Sequence, residues 1–151
     1  MRLALFRAVC ALAALVALVG FTGCGSSNKT DDYKTQARKV AQDFKDSAEK
    51  TSQQVSSATT TDQRVKGLEA LKGTVDDAAN GFEDLTPSDN VKSEHQQLIA
   101  GFRSLSSDIS DVEDAVRTND KNEAQATLPK LQADQQKVQQ AVDALESKLG
   151  K

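Results

Sequence analysis

Any catalysis by this 151-residue chain that requires a histidine must use His95, the only one present. A nucleophilic triad would require the fold to bring a serine and a carboxylate to it. Di-iron bundles need a Glu-x-x-His pair on each of two helices, and zinc sites need several Cys or His ligands. A single histidine on the apolar seam of a predicted helix satisfies neither pattern. We therefore expect a polar core residue, with no catalytic residue, no metal and no cofactor.

Carboxylates form a second group of residues that could bind a ligand or take part in a reaction. Asp108 and Asp111 lie one turn apart on a predicted helix, followed by Glu113 and Asp114, so weak cation binding is conceivable. However, no twelve-residue calcium loop with its central Gly and terminal Glu occurs. The pattern favours a solvated helix face for these residues.

Gln135 is the other polar residue on a predicted apolar seam. Buried polar residues at such positions fix helix register and partner choice in known helical assemblies. The functional alternative is a polar group inside a ligand cavity.

The N-terminus has the pattern of a secretory signal. Arg2 and Arg7 flank an otherwise apolar start, and an apolar run extends from about residue 8 to residue 21. This run of ~14 residues is shorter than the ~20 that a membrane-spanning helix needs. Small residues follow it, as signal cleavage requires.

Thr22, Gly23 and Cys24 match the end of a lipobox, so the segment resembles a bacterial lipoprotein signal. Phe21 departs from the usual Leu at the first position. The resemblance implies cleavage between Gly23 and Cys24, with a diacylglyceryl group (fatty acids such as palmitate) on the Cys24 sulfur. Two acyl chains make a stable membrane anchor. The alternatives are an uncleaved signal anchor and a secreted protein with a chance cysteine.

This interpretation divides the chain into a signal peptide (1–23), a lipid-bearing flexible tether (24–30) and one domain (31–151). It places the domain on the extracytoplasmic face of a bacterial cell membrane. Cys10 would be removed with the signal, so the domain would contain no thiol and would depend on packing for stability. The net charge of −3 and the lack of a basic stripe argue against nucleic-acid binding.

Apolar residues recur at spacings of three and four over four segments, which predicts four amphipathic helices. The predicted starts are Asp31 after a Thr30 cap, Thr61 after a Thr60–Gln63 capping box, Pro87 after a Thr86 cap, and Asp120. Pro129 should kink the last helix or split off a short first segment. The expected fold is all-α, an elongated antiparallel up-down four-helix bundle. The alternative is a two- or three-helix coiled coil that dimerises.

A second resemblance covers residues 85 to 105. The run resembles a segment of small secreted helical lipoproteins of actinobacterial type, most of which have no assigned activity. It is carried by Leu85, Thr86, Pro87, Val91, His95, Leu98, Phe102 and Leu105. The resemblance implies fold and location only.

Three functions are compatible with these patterns. The first is a membrane-anchored, non-enzymatic bundle that contacts an envelope partner as scaffold, adaptor or accessory subunit, with homo-oligomers conceivable. The second is a carrier that holds a small apolar ligand where the glycines of the second helix and Pro129 would let helices separate. The third is an enzyme that uses His95 as general base.

Overall fold

The computed structural model describes residues 29–150, which form four α-helices and no strand. The helices are α1 (Lys29–Ser57), α2 (Thr61–Glu83), α3 (Lys92–Arg117) and α4 (Lys121–Leu149). Short connections reverse the chain each time, so successive helices are antiparallel. The predicted all-α up-down bundle is confirmed. The predicted signal peptide, the cleavage site at Gly23 and Cys24, and most of the tether lie outside the described residues.

Helix boundaries agree with the capping predictions at two of four starts. Thr60 accepts a hydrogen bond from the Gln63 amide, and the Gln63 side chain accepts from the Thr60 amide, so the predicted capping box forms. Asp120 caps α4 by accepting from the amide of Glu123. By contrast, Thr30 is not a cap, because α1 already includes Lys29 and Thr30.

The predicted start of α3 at Thr86 and Pro87 is wrong. The helix begins at Lys92, after Val91, which has no side-chain cap. A turn closes first, with the Val91 amide donating to the Ser88 carbonyl at 3.0 Å. Val91 is fully buried, so anchoring this side chain in the core competes with an early helical turn at Pro87.

Pro129 does not split α4, which continues from Lys121 to Leu149. A proline removes the hydrogen bond to the carbonyl four residues earlier, here that of Gln125. Both residues lie on the exposed face, where water can satisfy that carbonyl. Burial of Thr127 and Leu131 on the opposite face holds the helix together across the proline.

Glycines bring helices close together, contrary to the expectation that they let the second helix separate. A Cβ built on Gly67 would lie 2.9 Å from a methyl of Val55 and 3.1 Å from its backbone nitrogen. One built on Gly101 would lie 2.7 Å from Val138 Cγ2. Only glycine allows α1–α2 and α3–α4 to approach this closely at these points. Gly73 has open space around it instead.

Chain order determines which helices pack. Close packing joins α1 to α2, α2 to α3 and α3 to α4, whereas α1 and α4 are not a closely packed pair. On α1 the core contains several small residues, including Ala37, Ala41 and Ala48, together with Tyr33 and Phe44, and the other helices contribute mainly larger apolar residues. The bundle is therefore most open between its first and last helices.

None of the four described helices combines the length and the apolar character that crossing a membrane requires.

Candidate functional site

Five rings from three helices form one cluster at the end of the bundle where α1 begins. Ring centroids lie 5.1 Å apart for Phe44 and Phe102, 5.8 Å for Phe102 and Phe82, 6.5 Å for Phe82 and His95, and 5.6 Å for His95 and Tyr33. Most pairs are edge-to-face, an arrangement favoured by the ring quadrupoles. These residues, called the ring cluster below, hold α1, α2 and α3 together.

His95 is 4 % exposed and is the polar member of the ring cluster. Its Nδ1 lies 2.9 Å from the Tyr33 hydroxyl. Burial raises the pKa of Tyr33 to about 12 and lowers the pKa of His95 below 6.5. Both shifts favour the neutral forms, so the phenol keeps its proton and can donate it to the imidazole tautomer whose Nδ1 carries no hydrogen. This hydrogen bond satisfies two buried polar groups across the bundle.

His95 lies against the rings of Tyr33 and Phe82. Its contacts are rings, and its hydrogen-bond partner is a phenol whose raised pKa makes it a poor nucleophile at neutral pH. The neighbouring Glu94 is committed elsewhere: its Oε1 accepts from Lys148 at 2.7 Å, which lowers the pKa of Glu94. The arrangement orients the imidazole and encloses it within the bundle.

A small apolar pocket lies beside the ring cluster, between α1 and α4. Its volume is about 20 Å³, enough for roughly one water molecule. The lining residues come from all four helices: Lys34, Ala37, Arg38, Phe82, Leu98, Val142, Leu145 and Leu149.

A second polar group lies farther along α3, where it packs on α4. Asp108 is 7 % exposed and Asp134 is 9 % exposed, so the prediction of a solvated face is wrong for Asp108. It is also wrong for Glu113, which is 8 % exposed and pairs with Arg117. Amphipathic spacing did not reveal these burials because the interface extends beyond the heptad seam.

The two aspartates differ in their partners. Asp134 accepts from Lys137 Nζ at 2.5 Å, whereas Asp108 Oδ2 is buried without a hydrogen-bond partner. Burial, followed by the charges of Asp134 and Asp111, raises the pKa of Asp108. Gln135, the predicted polar seam residue, is next to Asp134 and is 7 % exposed.

Ion pairs on the outer surface join α2 to α3. Arg103 contacts Glu83 at 3.0 Å and Asp76 at 3.7 Å, and Arg117 contacts Glu69 at 3.3 Å. These pairs are well exposed, so each contributes little to stability on its own.

No group of three or more His, Cys, Asp or Glu side chains within residues 29–150 is arranged to hold a metal ion. Asp108 and Asp111 therefore belong to no such group. The sequence placed His95 and Gln135 on helix seams but did not identify Tyr33 as the partner of His95 or Asp134 as the neighbour of Asp108. Tyr33 and His95 are 62 positions apart, and nothing in the local spacing links them.

Comparison with protein-family models, curated proteins and solved structures finds no match for this chain.

Proposed function

We propose that this chain is a lipid-anchored, non-enzymatic protein on the extracytoplasmic face of a bacterial cell membrane, whose helical bundle contacts another envelope protein. The observation that carries the proposal is the sequence ending at Cys24, which has the pattern of a lipoprotein signal. A folded helix begins only a few residues later, at Lys29. The chain thus combines an attachment residue with a compact bundle.

The short spacing determines which part of the bundle would be nearest the lipid. Four residues separate Cys24 from Lys29, so a fully extended chain of five steps spans at most about 18 Å. The start of α1 and the end of α4 lie at the same end of an up-down bundle. A lipid on Cys24 would therefore hold the ring cluster near the bilayer and direct the α1–α2 and α3–α4 connections outward.

Two observations favour partner contact over the other functions. His95 is enclosed by rings and bonded to Tyr33, which argues against a general base that must reach a substrate. The pocket between α1 and α4 holds about one water molecule, whereas small-molecule sites usually measure about 300–1,000 Å³. The carrier hypothesis would require the helices to move apart, yet Gly67 and Gly101 pack tightly against their neighbours.

Replacement of the predicted lipid site tests the anchor. Cys24→Ser should release the protein from the membrane fraction and remove the mass of the diacylglyceryl group. Cys10→Ser, in the predicted signal, is the matched control and should leave both unchanged. Fractionation and mass spectrometry of protein from its own host provide the readouts. Equal release of both variants, or a native mass without lipid, would refute the anchor.

Photo-crosslinking tests the partner separately. A photoreactive residue is placed at one exposed position on each helix: Lys39, Lys66, Gln97 and Gln140. Contact with a specific protein should yield the same adduct from one or two neighbouring helices and none from the others. Adducts that are absent at every position, or identical at all four, would contradict a defined contact face.

A further inference from the structure

Buried side-chain oxygens without a hydrogen-bond partner occur at two described residues, Glu94 and Asp108. The other oxygen of Glu94 is paired with Lys148 at the surface. Asp108 takes part in none of the ion pairs described above, although it is more than nine-tenths buried. Leaving a buried charged group short of partners is costly, so the contacts of Asp108 require an explanation.

The charges that act on Asp108 come from its own helix and from α4. Asp134 and Asp111 disfavour its ionised form, while Lys130 and Lys137 favour it. On the α2 side of α3, Asp76 is already paired with Lys72 and Arg103. Lys137 is bonded directly to Asp134 and compensates that carboxylate first. Asp108 is therefore the member of the pair without its own cation.

We propose that Asp108 and Asp134 share a proton across the α3–α4 interface, and that the bundle is strengthened by this contact as its surroundings become acidic. Asp108 takes up one proton from water at Oδ2, and this hydroxyl then donates to the Asp134 carboxylate. That carboxylate can accept from Asp108 and from Lys137 together, since it has about four acceptor sites. Uptake of the proton removes one negative charge and gives the unpaired oxygen a partner. This inference does not depend on the lipid anchor.

The direction of the pH effect follows from the raised pKa of Asp108. At pH values between the pKa of Asp108 in the unfolded chain and its higher pKa in the folded chain, the native state binds more protons than the unfolded state. The Asp108 contribution to stability is therefore complete below the unfolded value near 3.8 and is lost as pH rises through the folded value. Other carboxylates have the opposite effect, so the contribution must be isolated by comparing variants.

Thermal unfolding of the full chain in mild detergent, from about pH 4 to pH 8, tests the proposal. Asp108→Asn retains the shape of the side chain and can donate to Asp134 at every pH. We expect it to raise Tm by roughly 4 °C or more at neutral pH, with the gain shrinking towards pH 4. Asp114→Asn, exposed on the same helix, is the control and should show no such gain. A gain that is equal at every pH, or a loss of Tm at neutral pH, would overturn the shared proton.

Carboxyl NMR provides a second test, and its first readout uses the unmutated chain. The Asp108 carbon should titrate above its ordinary pKa, and Asp134→Asn should bring that midpoint down. An ordinary midpoint for Asp108 in the unmutated chain would contradict the proposal. A calcium effect would contradict it as well. If millimolar calcium raised the Tm of the unmutated chain but not that of Asp108→Asn, the pair would hold a cation instead of a proton.

Discussion

His95 of the ring cluster and Asp108 lie about 20 Å apart along α3, and each is a buried ionisable group. His95 has a neutral partner at 2.9 Å, whereas burial and the charges of Asp134 and Asp111 raise the pKa of Asp108. Burial makes both groups resist ionisation, yet with opposite consequences. Acidification charges His95 and weakens the first site, while it neutralises Asp108 and strengthens the second. The chemical type of each group therefore decides the direction of the pH effect, because protonation charges a buried imidazole but neutralises a buried carboxylate.

The largest effect is expected from removing the ring of Phe102, which joins the other members of the ring cluster. Phe102→Ala should lower the free energy of unfolding by about 3–5 kcal/mol, because Phe102 contacts both Phe44 and Phe82 and is 3 % exposed. Phe102→Leu, which retains much of the volume, should cost less. Denaturant unfolding measures both. If the two variants lost equal stability, the ring contacts would not be what stabilises this end.

A methyl group between the two sites should have the next largest effect. Gly101→Ala places a Cβ 2.7 Å from Val138 Cγ2, so either the Val138 side chain or the two helices must shift, at a cost of about 1–3 kcal/mol. Gly73→Ala is the control, because nothing lies within 4 Å of its Cβ. This control should stabilise the protein by up to about 1 kcal/mol through helix propensity. Chemical denaturation of both variants checks the opposite signs, and two changes of the same sign would contradict the close approach.

Removing one hydroxyl separates hydrogen bonding from packing in the ring cluster. Tyr33→Phe keeps the ring but leaves His95 Nδ1 without its donor, which should cost about 1.5 kcal/mol at neutral pH. Urea unfolding at fixed pH provides the measurement. An unchanged midpoint would mean that His95 finds another partner and that the contrast with Asp108 is smaller than proposed.

The smallest effect is the pH dependence of His95 itself. Its pKa is lowered in the folded state, so its contribution to stability is present above the unfolded value of 6.5 and is lost as pH falls through the folded value. His95→Gln should therefore reduce the fall in Tm as pH decreases. Asp108→Asn should instead reduce the loss of Tm that Asp108 causes as pH rises. Melting curves of the single and double variants determine whether the two components add.

The sequence predicted those parts of the structure that depend on local rules. Heptad spacing placed Leu98, Phe102 and Leu105 in the core, and capping chemistry placed the start of α2 at Thr61. It could not predict the late start of α3, because the burial of Val91 depends on other helices. The neighbours of His95 and Asp108 were also beyond reach, since Tyr33 and Asp134 meet them only when the helices are packed. Local spacing identifies a polar seam residue, but only the packed helices supply its partner.

The loose seam between α1 and α4 also has a mechanical consequence. A force applied to the chain before Lys29 acts first on α1, which packs closely along α2 but not along α4. The Tyr33–His95 bond is among the first contacts to carry this load. Core packing between α2 and α3, including the stacked rings of Phe82 and Phe102, meanwhile keeps these two helices joined. Unravelling the 29 residues of α1 alone would lengthen the chain by about 55 Å while the three remaining helices stay together.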